Sequence, residues 1–476
     1  MKRYHQLFLA VCAVLLLAPS AAQAQAFGIN EIGTCAASRG FAVTGSPCQD
    51  ASSIFWNPGA ATSLKGWNVL AGSAAIMIGG SFTQDTTFRK YEGDIPTAIV
   101  PHVFLNYGSA KSRFAYGFGM YVPYGLTSQW TDSFPGRFQA LKASLATIYF
   151  QPNVAYQIND KWSVGGGPVI GRSTVELIQA LDLSDQETTT TGVFFRQLGI
   201  AARTEFGRAN LNGSALAYGA HVGLFGKPNA NWTMGLRFLT PLEFQYDGAE
   251  ATFSQTNTNL VLAPGNPICF PAGTNAACGG NPNATVAIDA ILAPQFATGG
   301  KLVTQAVSTK ITHPAQIQAG VGYSGYKDWL VSVDYAWTGW RRFKDLPVTF
   351  AGPASASSRV LIEDYNNTSA IRLGVQRAFA SGAKARVGFS GVASAAPDET
   401  VTPLLPEQDR SYLSLGGEYP IFGRWAVQAA YLSVMAPGRR GRISERASRS
   451  VTSTQMNTGK YELSANVLSI SIKGTP

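Results

Sequence analysis

Short segments in which apolar and polar residues alternate run through most of the chain. In Phe114–Val122 large side chains alternate with glycine and alanine, and the same period of two recurs in Trp329–Trp337, Trp425–Tyr431 and Tyr461–Val467. Successive side chains of a strand point to opposite faces, so this period predicts strands with one apolar face. Aromatic residues stand at the ends of the segments, as in the interfacial girdles of a membrane barrel.

The connections between these segments are of two kinds, one tight and one long. The tight turns fall near Gly108–Arg113, Asn159–Lys161, Gly226–Asn231 and Ser324–Lys327. The long loops fall near Gly79–Pro96, Pro123–Ala143, Glu176–Leu216, Asp247–Lys301, Gly339–Thr368, Val392–Gln408 and Ala436–Tyr461. Short turns on one side and long loops on the other are typical of outer-membrane barrels. The pattern predicts an all-β, antiparallel transmembrane barrel of about 14 strands, with an even strand number.

The N-terminus reads as an export signal. Met1-Lys2-Arg3 is basic, Leu7–Ala18 is apolar, and Ala22-Gln23-Ala24 is a small-x-small cleavage site. We expect residues 1–24 to be a signal peptide and the mature chain to start at Gln25, or at Phe27 if the next such site is used. After cleavage no window of about 18 apolar residues remains, which disfavours a helical membrane protein.

Composition supports the barrel. Charged residues make up 14% of the chain and aromatic residues 11%, whereas soluble domains carry about 25% charge. The net charge of +9 is spread widely, so we expect no nucleic-acid partner. One dense basic patch in the last long loop is either a solvated surface or a contact for lipopolysaccharide phosphates. It contains Arg439, Arg440, Arg442, Arg446 and Arg449.

Four cysteines remain after signal cleavage, and they form two local pairs: Cys35 with Cys48, and Cys269 with Cys278. Neither pair has histidines at metal-binding spacing, and the exported compartment is oxidising. We therefore expect two small-loop disulfides and no metal site.

Residues 25–66 precede the first strand and do not alternate. Phe27, Ile29, Phe41, Ile54 and Trp56 make the segment moderately apolar, which favours burial. A barrel of about 14 strands is wide enough to hold such a segment. The sequence thus predicts an N-terminal plug, which we call the hatch, followed by a barrel over residues 67–476.

The hatch carries Phe27-Gly28-Ile29-Asn30-Glu31 and then Asp50-Ala51-Ser52-Ser53-Ile54-Phe55-Trp56-Asn57-Pro58-Gly59. These runs, with Tyr121–Trp130, Asp334–Trp340 and Pro403–Tyr412, resemble the FadL/TodX family of outer-membrane transporters for long-chain fatty acids and hydrocarbons. The resemblance implies a monomer whose barrel is plugged by the hatch. It also implies an apolar ligand that moves passively from an outer groove to a luminal site, with no cofactor.

The resemblance assigns roles to three ligand-facing residues. Phe27 matches the phenylalanine that reaches into the family's pocket, and Arg172 and Arg410 match its carboxylate-facing cations. An arginine fork suits a carboxylate that leaves water. Asp409, next to Arg410, is an alternative partner for that arginine. Asn366 stands where some relatives have a lysine, which weakens the case for an acidic ligand.

Two further motifs match the family. Asn57, Pro58 and Gly59 match its hatch motif, in which alanine is more usual than Gly59; we expect the glycine to loosen the hatch slightly. Pro123 and Gly125 match the point where the third strand kinks. Since proline cannot donate to the ladder, the kink predicts a gap in the wall that would allow lateral exit. The start of a surface loop is the alternative.

Two long loops carry apolar residues at helical spacing, which either form an outer groove for the ligand or pack against each other. They are Val175, Leu177, Ile178 and Leu181 in one loop, and Ile288, Ile291 and Leu292 before Pro294 in the other.

We expect an outer-membrane, non-enzymatic transporter that takes up long-chain fatty acids, or else uncharged aromatic or aliphatic hydrocarbons. A general porin would need an open lumen, which the hatch opposes, and a surface enzyme or adhesin would leave the hatch unexplained. No G-x-S-x-G or H-E-x-x-H motif occurs, and no catalytic residue is assigned.

Overall fold

The computed structural model describes residues 26–188, 192–269, 278–281, 283–443 and 458–476. The expected signal peptide lies outside these residues. No helix within them is long and apolar enough to cross a membrane.

One antiparallel sheet closes on itself as a barrel of fourteen strands, which confirms the predicted fold and strand number. The strands are β1 (Gly66–Gln84), β2 (Ala98–Gly108), β3 (Phe114–Gln129), β4 (Lys142–Gln157), β5 (Trp162–Asp182), β6 (Glu205–Gly226), β7 (Trp232–Leu239, continued by Leu242–Gln245 and Ala249–Gln255), β8 (Gln305–His313 and Gln316–Tyr323), β9 (Trp329–Thr338, continued by Asp345–Phe350), β10 (Arg359–Ile362 and Thr368–Ala378), β11 (Lys384–Val392), β12 (Arg410–Phe422), β13 (Trp425–Met435, continued by Arg439–Gly441) and β14 (Gly459–Gly474). Closure comes from β1 and β14, which pair from Val69 with Gly474 to Gln84 with Gly459.

The alternation read from the sequence sorts side chains between lipid and lumen. Large apolar side chains on the outer face are exposed, among them Phe114, Tyr116 and Phe118 of β3. Polar side chains such as Gln151 of β4 and Arg372 of β10 are buried on the inner face. This arrangement places an apolar band against the membrane and a polar inner surface around the hatch.

The hatch fills the lumen with short helices, α1 (Thr34–Ser38) and α2 (Ser53–Trp56), and a 3₁₀ segment, Pro58–Ser63. A third helix, α3 (Ile288–Phe296), lies in the loop between β7 and β8, and Val261–Leu262 pairs with Val286–Ala287 beside it. Lys90–Glu92 pairs with β1 in the first long loop. Single 3₁₀ turns lie at Pro135–Phe138, Phe195–Leu198, Trp340–Arg342, Ser355–Ser357 and Asp398–Thr400.

The predicted helical spacing of Val175, Leu177, Ile178 and Leu181 is wrong, because all four lie in β5. β5 and β6 pair as far out as Asp182 with Glu205, so much of the loop expected at residues 176–216 is strand. Beyond the membrane neither face of a hairpin must be continuously apolar, and the period of two fades from the sequence. The helix expected over Ile288–Leu292 is present as the first part of α3.

Candidate functional site: a cavity behind a window in the barrel wall

The hatch is held in the lumen by polar side chains of the wall. Arg237 donates to the Phe55 carbonyl oxygen at 2.9 Å, and its guanidinium lies 4.4 Å from the centre of the Phe55 ring. Arg372 donates to Asn30 Oδ1 at 3.1 Å. Asp334 accepts the backbone N–H of Gly45 at 3.2 Å. Charge-assisted hydrogen bonds of this kind fix the hatch at several points of the wall.

The motif at Asn57, Pro58 and Gly59 lies where the hatch meets β5 and β6. Asn57 Nδ2 donates to the Thr44 and Leu224 carbonyl oxygens, both at 3.0 Å, and Asn57 Oδ1 accepts the Gly59 N–H at 3.2 Å. A methyl group added at Gly59 would lie 2.8 Å from the carbonyl oxygen of Gly223 in β6. The expectation that this glycine loosens the hatch is therefore wrong: it permits close docking against the wall.

Both predicted disulfides are present. The Cys35–Cys48 bond closes a thirteen-residue separation within the hatch, with Cα atoms 6.2 Å apart. The Cys269–Cys278 bond lies in the loop between β7 and β8. Among the described residues, the one cluster with metal-like spacing is Cys35, Cys48 and Asp50, and both of its sulfur atoms belong to the disulfide.

The wall is interrupted between β2 and β3. The two strands pair from Gly108 with Ala115 only as far as Val103 with Met120. Farther out, residues 98–102 pair with β1 and residues 124–129 pair with β4, and within residues 26–188 no pairing joins these two stretches to each other. The wall closes again where Asp94 N–H donates to the Gln129 carbonyl oxygen at 2.9 Å. We call this gap the window.

The kink at Pro123 forms the β3 edge of the window. The register of β3 against β4 shifts between Tyr121 and Tyr124. On the side that faces away from β4, the hatch takes the place of β2: Ile29 N–H donates to the Pro123 carbonyl oxygen at 2.8 Å, and Gly125 N–H donates to the Phe27 carbonyl oxygen at 2.9 Å. The predicted kink residues thus lie beside the N-terminus of the hatch, at the edge of the window.

Phe27 is only 3% exposed and lies within a group of aromatic rings. Its ring centre is 4.7 Å from that of Trp340 and 5.4 Å from that of Phe343, and Tyr124 and His313 complete the group. Edge-to-face contacts at these distances are attractive. They anchor the first residues of the hatch between two cavities.

The larger cavity lies directly behind the window and has a volume of about 240 Å³. Its lining includes residues 98–100 of β2 and 125–128 of β3, the two edges of the gap. Ile99, at the edge, is 64% exposed, so one of the residues that line the cavity also faces the outer surface of the barrel. Its walls are mainly aliphatic, with Ile76, Leu126, Leu145, Leu463 and Val467.

Polar groups converge at the inner end of this cavity. Arg410 donates to the Ala26 carbonyl oxygen at 3.2 Å, and Glu407 Oε1 accepts the Ala26 N–H at 2.6 Å. Glu31 and Tyr412 line the same space. Burial raises the pKa of the Glu31 carboxyl above its ordinary value, against the opposing effect of hydrogen bonds and nearby arginines.

Arg172 is not part of this group. It lies in β5 between Gly171 and Ser173, whose inner-face positions are buried, and its own side chain is exposed on the outer face. The assignment of Arg172 to the ligand site is therefore contradicted, because neighbouring residues of a strand face opposite sides. Asn366 is also exposed. Of Arg172, Asn366 and Arg410, only Arg410 lines the cavity.

The smaller cavity, of about 80 Å³, lies on the other side of Phe27 and is almost entirely apolar. Val175 and Leu177 line it from β5, so these residues face the lumen and not an outer groove. Ile288, Ile291 and Leu292 pack into a buried cluster with Phe195 and Phe206. For these three, self-packing of the long loops is the correct alternative.

Two arginines of the basic patch form ion pairs with acidic residues of other loops. Arg439 pairs with Asp398 at 2.7 Å, and Arg440 pairs with Asp85. Arg446 and Arg449 lie outside the described residues. The two described ion pairs join neighbouring loops, which accounts for part of the patch without a ligand.

The sequence reasoning missed Glu31 and Glu407, which belong to the cavity. Glu407 stands in the run Glu407-Gln408-Asp409-Arg410, where adjacency in sequence favours Asp409 as the acid that pairs with Arg410. In the structure Asp409 accepts the Ser394 N–H instead, at 3.0 Å. No sequence pattern singles out Glu31, because a single acidic residue in an apolar segment is normally expected to face solvent.

Comparison with known proteins agrees with this architecture. The chain is 22% identical over 422 residues to a long-chain fatty acid transport protein of Escherichia coli O6:H1, covering 86% of each chain. It is 23% identical to outer membrane protein P1 of Haemophilus influenzae Rd, covering 90% of each.

In structure it is similar to a Pseudomonas aeruginosa FadL homologue, with a TM-score of 0.74, 18% identity and coverage of 95% of this chain and 100% of the other. It is also similar to the Ralstonia pickettii toluene transporter TbuX, with a TM-score of 0.63, 16% identity and coverage of 94% and 99%.

A family model for outer membrane protein transport proteins (OMPP1/FadL/TodX) matches residues 15–475, nearly the whole chain. The hatch-plugged barrel of fourteen strands has the architecture of that family. This outer-membrane protein therefore belongs to the OMPP1/FadL/TodX family.

Proposed function

We propose that this protein, acting as a monomer and without a catalytic step, imports long-chain fatty acids passively across the outer membrane. The observation that carries the proposal is the aliphatic cavity that ends at Arg410 and opens at the window. The named relative from Escherichia coli is a long-chain fatty acid transport protein. A carboxyl group at the polar end and an alkyl chain along the aliphatic walls would match the cavity.

The window supplies a route from this cavity into the bilayer. Its two edges are unpaired with each other and already line the cavity, so a ligand would need only the release of residues 27–29 from β3 to pass. The lumen on the periplasmic side is filled by the hatch, which the wall holds by many hydrogen bonds. We therefore propose lateral exit and not passage along the barrel axis.

Uncharged hydrocarbons are the second candidate. Arg410 is the sole cation that lines the larger cavity among the described residues, and two carboxyl groups accompany it. The solved structure of TbuX, a toluene transporter, shares the fold. A site with so little positive charge is compatible with a neutral ligand.

Equilibrium binding of palmitic acid to the purified barrel separates these candidates. Arg410→Ala is expected to weaken binding by about tenfold or more, which corresponds to about 1.4 kcal/mol. Arg172→Ala is the matched control, since its side chain lies on the outer face, and it should bind as the wild type does. Absent binding of palmitic acid, together with tight binding of toluene or hexadecane, would replace fatty acids by hydrocarbons.

A further inference from the structure

The larger cavity contains more negative than positive ionisable groups. Arg410 and Tyr412 come from β12, Glu407 from the loop before it, Tyr365 from the break between the two parts of β10, and Glu31 from the hatch. The residues that β1 to β4, β13 and β14 contribute to the lining include no ionisable side chain. One arginine thus faces two carboxyl groups in an otherwise aliphatic space.

Glu407 accepts four hydrogen bonds. Its two oxygens accept the N–H groups of Ala26, Ala395 and Ala396 at 2.6, 3.1 and 2.6 Å, and the Ser394 hydroxyl at 2.9 Å. Glu407 and Arg410 both bind the backbone of Ala26, so this carboxyl group lies beside the guanidinium of Arg410.

The surroundings of Glu31 differ from those of Glu407. Glu31 is 5% exposed, and its carboxyl group accepts the Asn30 N–H at 2.9 Å. Arg372 also lies near Glu31, but its charge interacts more strongly with the carboxylate of Asp334. An ionised ligand carboxylate beside Glu31 and Glu407 would place three negative groups around Arg410, the one arginine that lines the cavity among the described residues. Neighbouring carboxylates in an apolar site avoid this by sharing a proton.

We infer that the cavity binds a fatty acid together with one proton, which the ligand's carboxyl group shares with Glu31. The proton is taken from solvent when the ligand enters and returns to solvent when it leaves, so no other reactant is needed. The inference rests on the proposed function, because it concerns the form in which a fatty acid is held. A neutral ligand of the same length would need no proton.

The test is equilibrium binding of palmitic acid and of its methyl ester to the full-length barrel between about pH 5 and about pH 9, with calorimetry in two buffers of different ionisation enthalpy. The association constant of palmitic acid is expected to fall as pH rises, by up to tenfold per pH unit where one proton is taken up. That of the methyl ester should stay constant. Glu31→Gln should flatten the palmitic acid profile and strengthen binding at high pH. Glu243→Gln, an exposed residue outside the cavity, should leave it unchanged.

A flat profile for palmitic acid in the wild type, with no proton uptake in either buffer, would overturn the inference while leaving fatty acid uptake intact. Failure of palmitic acid to bind at any pH would overturn both. If Glu31→Gln does not fold, the proton count on the wild-type barrel decides alone: a nonzero uptake with palmitic acid and none with the ester supports the shared proton. Equal proton uptake with both ligands contradicts it.

Discussion

Replacement of Phe27 by alanine tests how the N-terminus of the hatch is held against the window. The ring is 3% exposed and contacts Trp340 and Phe343 edge to face. Truncation of a buried phenylalanine costs about 3–5 kcal/mol. Because backbone hydrogen bonds to β3 hold residues 27–29 outside the barrel's own strand pairing, we expect this cost to fall on local release and not on unfolding of the barrel.

The two backbone hydrogen bonds across the window report that release. Ile29 N–H donates to Pro123 and Gly125 N–H donates to Phe27. A loss of about 3 kcal/mol in the free energy of local opening should accelerate hydrogen–deuterium exchange at both amides by more than about a hundredfold. The assay is exchange with peptide-level mass spectrometry on the folded barrel.

The matched control is Phe82→Ala. Phe82 is also fully buried, but it packs against Phe134 and Tyr461 at the outer end of the barrel. Its removal should leave exchange at residues 29 and 125 unchanged. Unaltered exchange at both amides in Phe27→Ala, in a barrel that remains folded, would refute the conclusion that the aromatic group anchors the hatch.

Two further predictions concern the hatch as a plug. Gly59→Ala should destabilise the docking of the hatch by about 1–3 kcal/mol, because the added methyl group would meet the backbone of β5 and β6. Hydrogen exchange of the hatch amides measures this change. The control is Gly248→Ala, whose added methyl group would meet no atom within 4 Å and should have no effect. In planar bilayers the wild type should be nearly silent, since the hatch fills the lumen; large steady channels would indicate a porin.

The barrel strands could be predicted because the alternation that marks each strand depends only on residues close together in the sequence. A strand that faces lipid on one side must alternate, and Trp329–Thr338 does so along its whole length. The outer hairpin of β5 and β6 was misread as a loop because no lipid constrains it there. The 3₁₀ turn at Trp340–Arg342, which brings Trp340 to Phe27, likewise left no periodic signal.

The site was predictable only in part. Phe27, Pro123 and Arg410 were found through resemblance, and the structure brings all three to the window and its cavity. The orientation of Arg172 could have been read from the sequence, since the small residues Gly171 and Ser173 on either side share the opposite face. The convergence of Glu407 on Ala26 joins residues 381 positions apart, a contact that no local pattern encodes.

Lateral exit is the central claim, and site-specific photocrosslinking tests it most directly. A photoreactive residue would be placed at Ile99 on the window edge, at Lys384, which begins β11 at the periplasmic end, or at Ile371, an exposed position of β10 that reports background contact with the bilayer. Cells would then take up radiolabelled palmitic acid. We predict labelling at Ile99 well above that at Ile371, with none at Lys384. Labelling at Lys384, with Ile99 no higher than Ile371, would contradict the account and place the exit in the periplasm.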